Sequence, residues 1–112
     1  MDILFKTGKL EKICNDQKRA RRQWGPERSK LVLERLDDLR AMDTLEDIRT
    51  FPHRGLHELS GDRKGQLSMD LDGPYRLIFE PADVPLPLKP DGGLNWSRIT
   101  AVRILEVVDT HG

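Results

Sequence analysis

The spacing of the hydrophobic residues changes near Pro52, and no other feature of the sequence constrains the fold as strongly. Before Pro52 apolar residues recur every three or four positions, as on one face of an α-helix; beyond it they alternate with polar residues, as in a half-buried β-strand. Helices followed by hairpin-connected strands predict an α+β fold, with the N-terminal helices packed on a small antiparallel sheet. The chain length suits one such domain, spanning residues 1–112.

The helical half predicts one edge strand (3–5), a short helix (9–14) and a longer helix that begins at Pro26. This longer helix should be amphipathic and about 15 residues long. Its apolar stripe contains Val32, Leu36 and Leu39, and its outward positions are Glu34, Arg35, Asp38 and Arg40. Thr44 and Asp47 have the spacing of a capping box for a further helical turn, which Pro52 ends.

The second half predicts a β-hairpin and a final strand. Leu67, Met69 and Leu71 alternate with polar residues, an Asp-Gly turn follows, and residues 75–80 alternate again. Residues 81–96 contain four prolines and two adjacent glycines, which is typical of an extended surface loop. Residues 99–108 are rich in β-branched side chains and suit a central strand.

Charge and cysteine content limit the class of protein. The 19 Lys and Arg residues balance 19 Asp and Glu residues, which excludes a uniformly basic nucleic-acid coat. The balance hides a polarity, because residues 1–40 carry a net +4 and residues 41–112 a net −4. The basic run at 18–22 is either a solvated helix face or turn, or a patch that faces phosphates or an acidic partner. A lone, buried Cys14 and no apolar run long enough for a membrane span predict a cytoplasmic protein.

Motifs for cofactors are not found, so neither a cofactor nor a metal is expected. The polar residues that carry potential chemistry lie near predicted strand ends: Arg63, Lys64, Arg76 and His111. If they meet on one sheet face, the cations suit an RNA phosphodiester, and a histidine can transfer a proton to or from the 2′- or 5′-oxygen. Spacing alone leaves open exposed turn charges, a cross-strand ion pair for Arg76 and an unstructured terminus.

Three ordered motifs resemble the HigB subgroup of the RelE/ParE toxin superfamily, also called plasmid maintenance system killer proteins. They are L-S-G-D-R-K-G-Q-L-S at 59–68, Y-R-L-I-F at 75–79 and E-V-V-D-T-H at 106–111. The segment T-L-E-D-I-R at 44–49, followed by Pro52 and Leu56, is also similar to that subgroup. The resemblance extends from about Leu31 to His111.

The resemblance implies a RelE-like, compact microbial RNase-like fold and a bacterial type II toxin with a HigA-type helix-turn-helix antitoxin. Operator DNA would be bound only through the antitoxin, and no membrane is involved. The implied activity is ribosome-dependent mRNA cleavage, in which the 2′-oxygen attacks the adjacent phosphate. By position, Arg76 would contact the scissile phosphate, His111 would transfer a proton and Asp109 would orient that end of the site. Arg63 and Lys64, together with Arg21 and Arg22 of the basic run, would contact RNA.

The sequence departs from the subgroup pattern at Ser60, Asp72 and Thr110. These positions carry fewer cationic and aromatic residues than the subgroup pattern has, which favours an alternative function. In that alternative, the protein is a non-catalytic binding toxin or co-repressor that acts through its antitoxin or another target such as gyrase.

Overall fold

The computed structural model describes residues 1–51 and 55–110. Strand β1 (Asp2–Phe5) precedes helix α1 (Gly8–Cys14) and the long helix α2 (Gln17–Ala41). A 3₁₀ helix (Leu45–Thr50) leads to the remaining strands: β2 (His57–Glu58), β3 (Leu67–Asp70), β4 (Tyr75–Pro81) and β5 (Ala101–Asp109). Helices thus pack with a five-stranded sheet, and the predicted α+β class is confirmed.

The sheet has the strand order β1-β5-β4-β3-β2. Strands β2 to β5 pair antiparallel, whereas β1 pairs parallel to β5, from Asp2 opposite Ala101 to Phe5 opposite Ile104. The prediction of an antiparallel sheet is therefore right for four strands and wrong for the edge strand β1. An alternating pattern identifies a strand but not its partner, and the long connection after β1 permits the parallel direction.

Helix α2 bends at Gly25, whose backbone has φ 83°. The segment 26–41 is the amphipathic helix predicted to begin at Pro26, but residues 17–24 are helical as well. Asp16 caps this first segment, because its carboxylate accepts hydrogen bonds from the N–H groups of Lys18 and Arg19 at 2.9 and 3.2 Å. The basic run therefore lies on a helix rather than in a turn. No helix in the described part of the chain is long and apolar enough to cross a membrane.

The core lies between α2 and one face of the sheet. Val32, Leu36 and Leu39 are fully buried, as the apolar stripe predicts, and they belong to one cluster with Leu67, Met69, Leu77, Phe79, Val102 and Ile104. Cys14 is buried in the same cluster. The expectation that Arg35 faces outward is wrong, since its side chain is 7% exposed and its Nε donates to the Asp70 carbonyl at 3.0 Å. A guanidinium long enough to reach an unpaired strand-end carbonyl can be buried there.

The predicted capping box and surface loop are both present. The Asp47 carboxylate accepts hydrogen bonds from the N–H groups of Asp43 and Thr44 at 2.8 and 3.3 Å. In the loop, the Asp83 carboxylate accepts from the Thr100 and Ala101 N–H groups and from the Thr100 hydroxyl. Burial tends to raise the pKa of Asp83, but these hydrogen bonds outweigh it and lower that pKa. The loop is thereby fastened to the start of β5.

Candidate functional site

The face of the sheet opposite the core carries charged side chains beside two buried residues, Ser68 and Ile78, which are 3% and 0% exposed. Register pairs Asp70 with Arg76 and Arg76 with Val108, and it pairs Ser68 with Ile78 and Ile78 with Glu106. Paired residues project on the same side of a sheet, and alternate residues of a strand share that side. We call this surface, formed by Ser68, Asp70, Arg76, Ile78, Glu106 and Val108, the second sheet face.

Arg76 lies in the middle of the second sheet face and is held by its own chain. Its Nε lies 2.9 Å from Asp70 Oδ1, and its Nη1 donates to the carbonyls of Gly73 and Tyr75 at 2.9 Å each. Gly55 packs against the other side of this carboxylate, and a Cβ on Gly55 would lie 2.1 Å from Asp70 Oδ2. Arg76 thus forms a cross-strand ion pair, and its side chain keeps 21% exposure to solvent.

Arg63 reaches the same face from the loop before β3. Its Nη1 donates to the Gln66 side-chain carbonyl at 3.0 Å, and its Nη2 donates to Glu106 Oε1 at 3.4 Å. Arg76 and Glu106 are diagonal neighbours on β4 and β5, a relation that separates residues by about 7–8 Å. The structure therefore brings Arg63 and Arg76 to the same sheet face, each beside a carboxylate.

A shallow depression of about 370 Å³ borders Arg63 at the end of β5, lined by Leu59, Ser60, Arg63, Val108, Asp109 and Thr110. Register places Asp109 opposite Tyr75, whereas Arg76 is opposite Val108, so the side chains of Asp109 and Arg76 leave the sheet on opposite faces. Lys64 is exposed at the end of the 3₁₀ turn Gly61–Arg63. Asp109 and Lys64 therefore lie near Arg63, but neither lies beside Arg76 on the second sheet face.

The chain end is fixed near the hairpin turn. Thr110 donates its N–H and its hydroxyl to the Pro74 carbonyl at 3.2 and 3.3 Å. The predicted proton-transfer residue, His111, lies outside the described residues, as does His53. The proton-transfer role of His111 stays a prediction.

The hairpin turn is clamped to α2 by residues that sequence spacing does not connect. Arg28 donates Nε and Nη2 to the two carboxylate oxygens of Asp72 at 3.0 Å each. Its guanidinium also lies 3.4 Å from the centre of the Tyr75 ring. The hydrogen bonds from Arg28 lower the pKa of Asp72, and they raise the pKa of Arg28. This two-pronged ion pair holds the turn that presents Arg76.

Arg21 and Arg22 do not lie with Arg63 and Arg76. Both are exposed on the first segment of α2, where Arg22 lines a groove against α1 and Arg21 lines a separate depression with Lys30. Neither residue lines the depression at Arg63. The four predicted RNA-contacting cations are therefore divided between the second sheet face and the helices.

The arrangement can bind an anion and stabilise added charge on it, because two guanidinium groups lie on one sheet face. Asp70 and Glu106, the two carboxylates of this site, were not singled out from the sequence. The available signal was their place on the strands that flank the strand of Arg76, on the same face of the sheet. Within residues 1–51 and 55–110, no group of three His, Cys, Asp or Glu side chains could hold a metal ion.

Comparison with protein families identifies a match over most of the chain. The model of the RelE-like toxin of the type II toxin–antitoxin system HigB matches residues 4–85, well over half of the chain. The matched span contains Arg63, Lys64 and Arg76, and it ends before Asp109. No curated protein matches the chain.

Proposed function

The chain belongs to the family of HigB-like toxins, RelE-like toxins of type II toxin–antitoxin systems, and from this premise we propose that it cleaves mRNA on the ribosome. Membership in a type II toxin family implies an antitoxin as partner. The endoribonuclease reaction, the ribosome and mRNA as partners, and action in the cytoplasm are parts of the proposal. A HigA-type antitoxin would connect the toxin to operator DNA.

The positions of Arg63 and Arg76 on one sheet face, each beside a carboxylate, support this proposal. Phosphodiester cleavage adds negative charge to the phosphoryl oxygens in the transition state, and guanidinium groups stabilise that charge. We assign the scissile phosphate to Arg76, and we assign the flanking phosphate or ribosomal RNA to Arg63 and Lys64.

The reaction is an internal displacement at phosphorus. The 2′-oxygen attacks the adjacent phosphorus while the bond from phosphorus to the 5′-oxygen breaks, so a 2′,3′-cyclic phosphate and a 5′-hydroxyl end form. A base removes the 2′-hydroxyl proton, and an acid returns a proton to the leaving 5′-oxygen. We assign this proton transfer to His111, with Asp109 orienting that end of the site.

The ion pairs with Asp70 and Glu106 support dependence on the ribosome. A phosphate must displace these carboxylates from the arginines, or bind the arginines together with them. A ribosome that holds mRNA in place raises the local concentration of the phosphate and removes the orientational cost of binding. Free RNA lacks this advantage, so we expect slow cleavage of free RNA.

The test is mapping of transcript 5′ ends after the toxin is induced in cells that lack the antitoxin. We expect codon-phased cuts with wild type, and no cuts with Arg76→Ala or His111→Ala. Arg103→Ala is the matched control, because Arg103 forms an equally short ion pair with Glu80 between β4 and β5, away from Arg76. Cuts that persist in Arg76→Ala would contradict the proposal.

The second candidate is a non-catalytic toxin or co-repressor that acts through its antitoxin or a target such as gyrase. The neutralisation of Arg76 by Asp70 and of Arg63 by Glu106 favours it. Growth arrest without transcript cuts, retained in Arg76→Ala, would establish this candidate in place of the endoribonuclease.

A further inference from the structure

A groove between α1 and the first segment of α2 collects positive charge. It encloses about 540 Å³, and its lining consists of Gly8, Lys9, Lys12, Ile13, Arg19, Arg22 and Gln23. We call it the helical groove. Among residues 1–51 and 55–110, no acidic residue lines it, so its rim presents four cations to anything that enters.

These cations are mostly unneutralised within the described part of the chain. Arg19 alone among the four forms an ion pair there, with Asp16 at 3.5 Å, and both partners are about half exposed. Residues 6–22 contain seven Lys or Arg residues and only two acidic ones. The remainder of this neutral protein is therefore net negative, which makes the groove a local positive field.

The floor of the helical groove is partly apolar and continues toward the sheet. A second depression, of about 210 Å³, shares Lys9, Ile13 and Gln23 with the groove. Its other lining residues are Thr7, the partly buried Leu10, Trp24, Leu105 and Val107, and the acidic Glu106. The combined channel thus has a cationic rim at the groove, a partly apolar floor, and one carboxylate, Glu106, where it meets the sheet.

We propose that the helical groove binds an acidic, amphipathic segment of the antitoxin. This inference rests on the proposed role as a type II toxin, for which an antitoxin is the required protein partner. An amphipathic helix can lay apolar side chains on the floor and place carboxylates against the rim. RNA bases stack on flat aromatic rings such as Trp24, but most of the floor is aliphatic, with Leu10, Ile13, Leu105 and Val107, and suits the side chains of a protein segment better.

The placement has a consequence for regulation. The helical groove and the depression at Arg63 have no lining residue in common. A segment confined to the groove therefore leaves the depression at Arg63 open, whereas a segment that continues into the second depression reaches Glu106, the ion-pair partner of Arg63. The antitoxin then occupies the helical side of the toxin, and the complex retains Arg76 on its anion-binding face.

The test is titration of the toxin with the antitoxin encoded beside it. Lys12→Glu combined with Arg22→Glu reverses two groove charges, and Lys18→Glu combined with Lys30→Glu is the matched control, since both lysines are exposed on α2 outside the groove. We expect at least about a tenfold loss of affinity for the groove variant and less than about twofold for the control. If the charge reversal prevents folding, Lys12→Gln with Arg22→Gln should still weaken binding by about threefold or more.

Two outcomes would contradict the proposed antitoxin site without affecting the assignment to the toxin family. Equal antitoxin affinity in the groove and control variants would refute it. Loss of ribosome binding with unchanged antitoxin affinity would identify the groove as an RNA surface instead. Failure of the proposed function is distinguishable, because an absence of transcript cuts leaves the antitoxin titration unaffected.

Discussion

Arg76 and Arg63 lie on one sheet face, yet each already contacts a carboxylate of the same chain. Any anion that binds them competes with Asp70 and Glu106. The strength of the site is therefore set by these carboxylates as much as by the arginines themselves. Both pairs are partly exposed, so each competition involves a modest free energy.

Replacement of Asp70 by Asn should strengthen binding of an RNA phosphate. Asn keeps the shape that packs against Gly55 but removes the charge opposite Arg76. We expect a gain of about two- to fivefold in affinity for a short, non-cleavable mRNA analogue, measured by fluorescence anisotropy. Asp37→Asn is the control, because it frees Arg40 on the surface of α2. Weaker binding by Asp70→Asn would show that Asp70 positions Arg76 rather than competing for it.

Gly55 should be the glycine whose replacement costs the most. Its φ of 55° favours glycine, and a Cβ would collide with the Asp70 carboxylate. Gly73 has a similar φ of 51° with nothing within 4 Å of a Cβ, so Gly73→Ala measures the backbone cost alone. Urea unfolding should show a loss of about 1 kcal/mol for Gly73→Ala and about 2–4 kcal/mol for Gly55→Ala. Equal losses would mean that Asp70 moves aside freely.

At the scale of elements, α2 serves two surfaces at once. Its second segment supplies the core and sends Arg28 and Arg35 to the hairpin and to β3, while its first segment forms the helical groove with α1. Gly25 and Pro26 separate these segments. The bend lets each segment orient its own face, which a straight helix of this length would not permit.

The clamp between Arg28 and Asp72 should make stability fall in acid. The pKa of Asp72 is lowered in the folded state, so its contribution is present above the unfolded pKa and is lost as pH falls through the folded pKa. Wild type should therefore exceed Asp72→Asn in urea midpoint at pH 7, and the difference should shrink below about pH 4.

The control for this pH series is Asp91→Asn. Asp91 is 71% exposed and lies 3.9 Å from Lys89, so its replacement should leave the midpoint nearly unchanged at both pH values. A constant difference between wild type and Asp72→Asn across pH 3–7 would show that the carboxylate contributes by packing.

At the scale of the whole molecule, one core supports two polar surfaces of different character. The net charge of zero gives little long-range attraction to RNA. Binding on the second sheet face must then rely on local geometry, while the helical groove has a local excess of cations. If both proposed assignments hold, the antitoxin and the ribosome bind on separate sides of the molecule.

Cys14 should report unfolding of the whole molecule. It is 5% exposed in the core cluster, and burial raises the pKa of its thiol to about 11. The reactive thiolate is therefore scarce as well as inaccessible in the folded protein at pH 8. A colourimetric disulfide reagent should label Cys14 at once in 8 M urea and very slowly in buffer, and more quickly in Gly55→Ala. Rapid labelling of the native wild type would contradict this placement.

The sequence by itself determined most of the elements, because hydrophobic spacing is a local property; the first segment of α2 and strand β2 were not predicted. The stripe of Val32, Leu36 and Leu39, the capping residue Asp47 and the hairpin across Asp72-Gly73 all follow from neighbours within a few positions. The phase of the strands also placed Arg76 opposite the core. Ordered motifs then indicated the toxin family, which the family match confirms.

Only the tertiary structure decided which distant residues meet. The parallel pairing of β1 with β5, the burial of Arg35 and the contacts of Arg76 with Asp70 and Arg28 with Asp72 join segments whose separation along the chain carries no signal. Packing also divided the basic residues, joining Lys9 and Lys12 to Arg22 in a groove and leaving Arg63 on the sheet. Local patterns encode which face of an element is buried, whereas the partner of that face depends on how the whole chain packs.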